Sequence, residues 1–288
     1  MKHFLIYANR YKDKNLLMAK RVCDFLQLKG QHVTVRAIGG EREEKRASGQ
    51  EEIPADMLRS VDCMIVLGGD GTVLQAVRAV KMGPVPIIGV NLGTLGYMTE
   101  VEPSGLEEAL ERLIAGDYVR QSRMMIDGRI TFQDGGGRED WALNDIVISR
   151  RGSLQIIRFA IYVNGQFLNN YHADGMIVTT PTGSTGYNLS AGGPLVEPGA
   201  ELMMLTPICP HSLNQRSIIL SPEDIVEIEI PECREGGEQP VEVSFDGSHV
   251  IPLRTGDKLS VARSKRVTEF IRLNQVSFLE VLHRKMQE

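Results

Sequence analysis

The feature that most constrains this chain is Val66-Leu67-Gly68-Gly69-Asp70-Gly71-Thr72-Val73. An apolar run beginning at Met64 stops at two glycines, and a helix-like segment follows. Strand, glycine turn, helix is the local geometry that cradles phosphate. Glycines let the backbone come close to the ligand, and free N–H groups at the helix start face the anion. Asp70 sits badly with that reading: a carboxylate in a phosphate loop is electrostatically misplaced unless it binds a cation or takes a proton. It is therefore a stronger functional lead than the glycines. The loop carries neither the lysine of a P-loop nor a full G-x-G-x-x-G, so backbone N–H groups and a divalent cation are expected to hold the phosphates.

The order of elements around this loop sets the fold class. Residues 3–8 read as a buried strand. Asp13 to Lys29 reads as an amphipathic helix through Leu16, Ala19, Val22, Cys23 and Leu26, ended by Gly30. His32 to Ile38 reads as a strand, and the charged stretch Glu41 to Glu52 as a surface loop. Val61 to Leu67 is a strand feeding the glycine loop, Thr72 to Met82 a helix, and Val85 to Val90 a strand that leads into the glycine-bearing Asn91–Tyr97. Ser104 to Ala115 is a helix, with Ser104 and Glu107 spaced as a capping box. Strand and helix in alternation imply a parallel α/β sheet, with ligands beyond the carboxyl ends of its strands, where both glycine loops fall.

After about residue 118 the helical period is largely lost. Short β-type runs appear at Arg129–Phe132, Ala142–Ser149, Ile156–Val163, Met176–Thr180, Ser217–Leu220, Ile225–Ile230, Val241–Phe245 and Lys258–Ala262. Turn residues separate them, which implies an all-β, sandwich-type domain. Glu232 to Gln239 reads as a charged hairpin loop, and Ser277 to Met286 as a final amphipathic helix. The expected division is 1–118, 119–265 and 266–288, the last segment packing back on the first domain.

Composition narrows the class further. The 288 residues carry a net charge of −5 and no long basic block, which argues against general nucleic-acid binding. No apolar run approaches the ~20 residues of a membrane span, and the N-terminus has too short an apolar core for a signal peptide, so a cytoplasmic protein without membrane partners is expected. Cys23, Cys63, Cys209 and Cys233 match no zinc spacing.

Four further stretches carry candidate chemistry. Asn144-Asp145 offers an amide and a carboxylate that can take two edges of a base or a ribose diol. The segment from His172-Ala173-Asp174-Gly175 into Thr179–Pro194 is filled with hydroxyl residues, glycines and prolines. It is expected to have no core to build, and to offer hydroxyls, backbone donors and one aromatic ring, Tyr187. Pro207 to Arg216 holds a lone His211, and Phe245-Asp246-Gly247-Ser248 reads as an ordinary turn.

Taken in order, these motifs resemble those of the NAD kinase family. Gly68-Gly69-Asp70-Gly71-Thr72 is shared with lipid kinases and, in near form, phosphofructokinases. The Asp174–Pro194 stretch, with Asn144-Asp145, Pro207–Arg216 and Phe245-Asp246-Gly247, narrows the match over essentially the whole chain. The resemblance implies a Rossmann-like α/β domain, then a β-sandwich-type domain, with a C-terminal segment returning to the first. It implies transfer of the γ-phosphate of ATP, or of polyphosphate, to the 2′-hydroxyl of the adenosine ribose of NAD, with a divalent cation such as magnesium. By the same resemblance Asp70 is the general base, with Gly71 beside it against the ligand. Asn144 and Asp145 hold the adenine and ribose region, Asp174 lies on the nicotinamide or partner-subunit side, and His172 is a further cofactor-binding candidate. Thr185, Gly186, Tyr187, Asn188, Leu189 and Ser190 form the dinucleotide loop. A homo-oligomer, dimer or tetramer, is implied. Asp145, Gly186 and His172 stand where the family often has glutamate, alanine and arginine. The readings set against it are a lipid kinase sharing the glycine loop and a non-catalytic NAD(P) sensor.

Overall fold

The structure is a computed structural model describing residues 1–39, 52–80, 85–94, 96–152, 156–211, 216–232, 239–273 and 277–287. Most of the loops expected at Glu41–Glu52 and Glu232–Gln239 lies outside the described residues. The chain divides into two units, Met1–Ser122 with Thr268–Glu288, and Arg123–Val267.

In chain order the first unit contains β1 (His3–Asn9), α1 (Leu17–Leu28), β2 (His32–Ile38), α2 (Ala55–Leu58), β3 (Cys63–Gly68), α3 (Asp70–Ala79), β4 (Ile87–Asn91) and α4 (Leu106–Ala115). Strand β5 (Val119–Thr131) leads into the second unit. There follow β6 (Gly137–Ala142), β7 (Asp145–Arg150), β8 (Ile157–Val163), β9 (Gln166–Ala173), β10 (Gly175–Thr179), α5 (Tyr187–Ser190), β11 (Met203–Ile208), β12 (Ile218–Leu220), β13 (Val226–Glu229), β14 (Val241–Phe245) and β15 (His249–Leu253). Strand β16 (Lys258–Arg272) returns to the first unit, which ends in α6 (Phe278–Met286).

The first unit is a parallel sheet in the order β2-β1-β3-β4. The end of β16 joins it alongside β4, Phe270 opposite Ile87. Phe4, Ile6 and Ala8 of β1 and Cys63, Ile65 and Leu67 of β3 share a core with Ala19, Val22 and Leu26 of α1 and with Leu106, Leu110 and Leu113 of α4. The alternate residues Leu5, Met64 and Val66 are buried as well, the pattern of a parallel sheet covered on both faces. Asp13 starts α1: its carboxylate accepts from Met18 and Ala19 N–H at 2.9 and 2.8 Å. The capping box expected at Ser104 and Glu107 does not form. Pro103–Gly105 is a 3-10 turn, α4 starts without a side-chain cap, and Glu107 pairs instead with Arg21 at 2.8 Å.

The second unit is a β-sandwich, the fold class expected. One antiparallel sheet runs β16-β13-β8-β9 and the other β12-β11-β10-β7-β14-β15. A single core drawn from both holds Phe159, Ile161, Ile228 and Val261 against Ile146, Ile148, Val178, Leu205, Val243 and Phe245. Strands β9, β11 and β15 escape the sequence reading for identifiable reasons. β9 is an edge strand exposed through Asn170, so its residues do not alternate in polarity. β15 is an edge strand that tolerates Pro252. β11 is buried throughout despite Pro207. The run expected over Ala142–Ser149 is β7, which starts only at Asp145; Ala142 ends β6, a strand that the sequence reading also misses, and Leu143-Asn144 separates the two.

Candidate active site

In the first unit the site grows from the end of β3. Gly69 is extended and caps α3, which begins at Asp70 rather than at the expected Thr72. Thr72 and Val73 N–H donate to Gly69 O at 2.8 and 3.1 Å. Asp70 is thus the first helical residue, where the helix dipole favours a negative charge. Its carboxylate accepts from Tyr97 N–H on Oδ2 at 2.8 Å and from Met98 N–H on Oδ1 at 2.9 Å.

The electrostatic conflict seen in the sequence is therefore answered from within the chain. The charge on Asp70 is met by two main-chain donors and a helix start, without a cation. Among the described residues no group of three or more His, Cys, Asp or Glu side chains is arranged to hold a metal ion. The donor set does not fit a resident divalent cation. A carboxylate offers about four acceptor positions, so Asp70 keeps capacity for a further donor such as a hydroxyl.

Two neighbours hold this arrangement. A Cβ at Gly96 would collide with Asp70 Oδ1, so only glycine lets the Tyr97 and Met98 amides close on the carboxylate. The Tyr97 ring lies 6.3 Å from that of Phe278 in α6, with Lys285 Nζ 4.6 Å from its centre. Gly71 is exposed and has open space where a Cβ would stand.

In the second unit the site is the break between β6 and β7. The carboxylate of Asp246 accepts from Leu143, Asn144 and Asp145 N–H at 3.0, 2.8 and 3.3 Å. From the other side Thr180 Oγ1 donates to Leu143 O at 2.6 Å, and Thr179 Oγ1 and Thr180 N–H donate to Asn144 O, each at 2.9 Å. Leu143–Asp145 is thereby fixed through both its donors and its acceptors. Asn144 Oδ1 is buried without a partner among the described residues, as is Thr182 Oγ1. A buried acceptor left open within a fully bonded frame is placed to receive a donor from a ligand.

The hydroxyl-rich segment does build a core, contrary to expectation, and the core is polar. Thr179, Thr180, Thr182, Ser184 and Asn188 are all buried. The Asn188 amide donates to Ser184 O and Pro194 O, and its Oδ1 accepts from Thr206 Oγ1 at 2.7 Å. Asn188 is thus the support of α5, while Tyr187, Leu189 and Ser190 are exposed and Thr185 and Gly186 half-buried. A Cβ at Gly183 would collide with Thr179 Oγ1 and the Asn144 carbonyl, which presses this turn onto Asn144. At Gly186 it would lie 3.3 Å from Gly183 O and 3.7 Å from Asn144 Nδ2, so this departure from alanine is spatially mild.

Asn144, Asp145 and Thr182–Gly186 are therefore brought together. His172 is exposed on β9, and Asp174 pairs with Arg150 Nε at 3.1 Å. Arg150, Asp246 and the Thr179 and Thr180 hydroxyls are absent from the sequence-derived site. Asp246 left a signal there: it has φ 49 and precedes Gly247 at φ 64 in the β14–β15 hairpin, the positions where Asp-Gly turns concentrate.

Burial, and then the adjacent Asp246 carboxylate, push the Asp145 carboxyl up to about 7. The folded state keeps a proton that the unfolded chain releases near pH ~4, so the residue costs stability as pH rises from about 4 to about 7. Asp145→Asn removes that cost. Its melting temperature relative to the parent should rise more at about pH 8 than at about pH 5, and equal shifts would place the carboxyl in its ordinary range. Gly183→Ala should lower stability by about 1–3 kcal/mol in urea denaturation. Gly186→Ala should stay within about 0.5 kcal/mol; the reverse order would refute this packing of the turn on Asn144.

Known proteins resemble this chain in sequence and in fold. Residues 4–118 match the profile of the ATP-NAD kinase N-terminal domain, and residues 143–273 that of the ATP-NAD kinase C-terminal domain. A curated protein of Lachnospira eligens named NAD kinase is 42% identical over 298 residues, which cover 99% of this chain and 100% of that one. The crystal structure of an NAD kinase from Archaeoglobus fulgidus in complex with ATP superposes with a TM-score of 0.74 at 26% identity, covering 100% of both chains. That of yeast NADH kinase complexed with NADH gives 0.83 at 23% identity, covering 100% of this chain and 88% of that one, a likeness of fold.

Proposed function

The chain belongs to the ATP-NAD kinase family and phosphorylates NAD to NADP using ATP, and from that premise we propose that Asp70 is the base of the transfer. The observation that carries this is the anchoring of Asp70 by the Tyr97 and Met98 amides with acceptor capacity left over. A fixed carboxylate accepts a hydrogen bond from the 2′-hydroxyl of the adenosine ribose and takes its proton as the oxygen attacks the γ-phosphorus. The bond from the γ-phosphorus to the bridging oxygen breaks, and ADP leaves. The first turn of α3, with Gly71 open beside it, faces the phosphates of ATP. The divalent cation enters with ATP, held by its phosphates as part of the substrate, which agrees with the donor set described above.

On the dinucleotide side, the open Asn144 Oδ1 accepts from the adenine amino group and Asp145 bonds the ribose hydroxyls. The exposed Tyr187 ring stacks, flanked by Thr185, Gly186, Leu189 and Ser190. Asn188 acts behind them as a positioning residue. Asp174, balanced by Arg150, and His172 serve the nicotinamide side. Self-assembly belongs to the same reading and is supported by edge strand β9, which leaves Phe167 and Leu168 exposed.

The test is Asp70→Asn, assayed for NADP from NAD, ATP and magnesium, with NAD binding followed by calorimetry. Turnover should fall by about 10²–10⁴-fold while NAD affinity holds. Turnover within about threefold of the parent would exclude Asp70 as the base.

A further inference from the structure

We propose that the second unit carries a separate binding site for a small phosphate-bearing anion, in a cleft lined by Arg138, Arg151 and Arg254. The cleft has a volume of about 800 Å³, within the range of small-molecule sites. It lies at the opposite end of the sandwich sheet from Asn144 and Asp145. β7 starts at Asp145 and ends at Arg150, with Arg151 next in the lining, and β14 starts at Val241 in the lining and ends beside Asp246. Asp145 and Arg151 lie six residue steps apart along the strand, about 20 Å.

The cleft is built rather than incidental. Asp257 is buried, and its carboxylate ties two walls together, accepting from Gln133 N–H at 2.9 Å and Arg254 N–H at 2.8 Å. Gln239, also buried, accepts from Arg158 N–H and donates to Pro231 O, both at 2.8 Å, while its own N–H donates to Thr255 Oγ1 at 3.2 Å. These two side chains lock the β5–β6 turn, the end of β15 and the start of β14 around one cavity. Val241, Ile251 and Leu253 line it from the core, joined by Phe132.

Its charge is unbalanced in a particular way. The Arg138, Arg151 and Arg254 guanidinium groups are exposed and have no ion pair among the described residues. The acids among the described lining residues are Asp134, on the exposed turn, and Asp257, whose oxygens are held by the two amides. Several other arginines of this unit are paired: Arg129 with Glu139, Arg263 with Glu201 and Glu223, Arg266 with Asp127. Three unpaired forks around an apolar-backed cleft suit phosphate groups, which each fork can grip through two parallel N–H bonds. The cleft is read as a binding site: among its described lining residues no cysteine, histidine or lysine stands beside the forks, and Asp257 is held by two amides. Strands β7 and β14 join this cleft to the Leu143–Asp145 region, the route by which occupancy would reach the other site.

The proposal stands apart from the kinase assignment, and either can fail alone. The experiment is hydrogen exchange on the full chain with AMP and, separately, with inorganic triphosphate, following amides 251–257 and 68–73. At least one probe should protect 251–257 in the parent. The half-saturating concentration for that segment should rise by about tenfold or more in Arg151→Glu/Arg254→Glu, with 68–73 unchanged. Protection by AMP alone identifies a nucleotide-like ligand, and by triphosphate alone a free polyphosphate. Should the double variant fail to fold, Arg254→Ala, a truncation at an exposed head group, gives the same readout. No protection of 251–257 by either probe, or protection that survives the substitutions, would overturn the proposal.

Discussion

A carboxylate that gathers main-chain N–H groups is the interaction on which the candidate loops of both units depend. Asp70 draws in Tyr97 and Met98, and Asp246 draws in Leu143, Asn144 and Asp145. The same device starts α1 through Asp13 and ties Gln133 to Arg254 through Asp257. Irregular backbone near a ligand cannot satisfy its N–H groups within a helix or a ladder. An acid that collects two or three of them fixes the loop and is itself stabilised, because hydrogen bonds to a charged acceptor are stronger than neutral ones. Each loop is thereby held at a defined place on a rigid scaffold.

The two acids play different parts. Asp246 gathers three amides and makes the Leu143–Asp145 break possible. One consequence is Asp145, pressed between burial and a neighbouring negative charge, which raises its carboxyl to about 7. Among the described residues Asp70 accepts from two amides, so it is both an anchor and an open acceptor. That double role removes the need for a bound cation which its position in a glycine-rich stretch had suggested.

The sequence is most legible where structure is periodic or alternates. Apart from the one-turn α2, the strand and helix succession from His3 to Ala115 reads directly, because the buried face of α1, the buried middle of β1 and the fully buried β3 leave clear apolar patterns. Asp70 stands out because an acid among glycines is chemically conspicuous. Less legible is whatever depends on partners distant in the chain. Asp246 is about a hundred positions from the backbone it holds, and nothing local to Phe245-Asp246-Gly247 names that target. The hydroxyls of Thr179 and Thr180 look like solvent-facing donors until the Leu143 and Asn144 carbonyls are brought onto them. The Ser104–Glu107 spacing misleads for the same reason, since Arg21 competes successfully for Glu107. Edge strands such as β9 and β15 are blurred because an exposed edge does not require strict alternation.

The central claim is that Asp70 is an anchored carboxylate with one acceptor position reserved for the hydroxyl that is phosphorylated. A crystal structure of the chain with NAD and a non-hydrolysable ATP analogue tests it most directly. The predicted result is an Asp70 carboxylate oxygen within about 2.6–3.2 Å of the adenosine ribose 2′-oxygen, with the Tyr97 and Met98 amides still on the same carboxylate. A 2′-oxygen bonded only to some other side chain, or an Asp70 that has left both amides to reach it, would contradict the account.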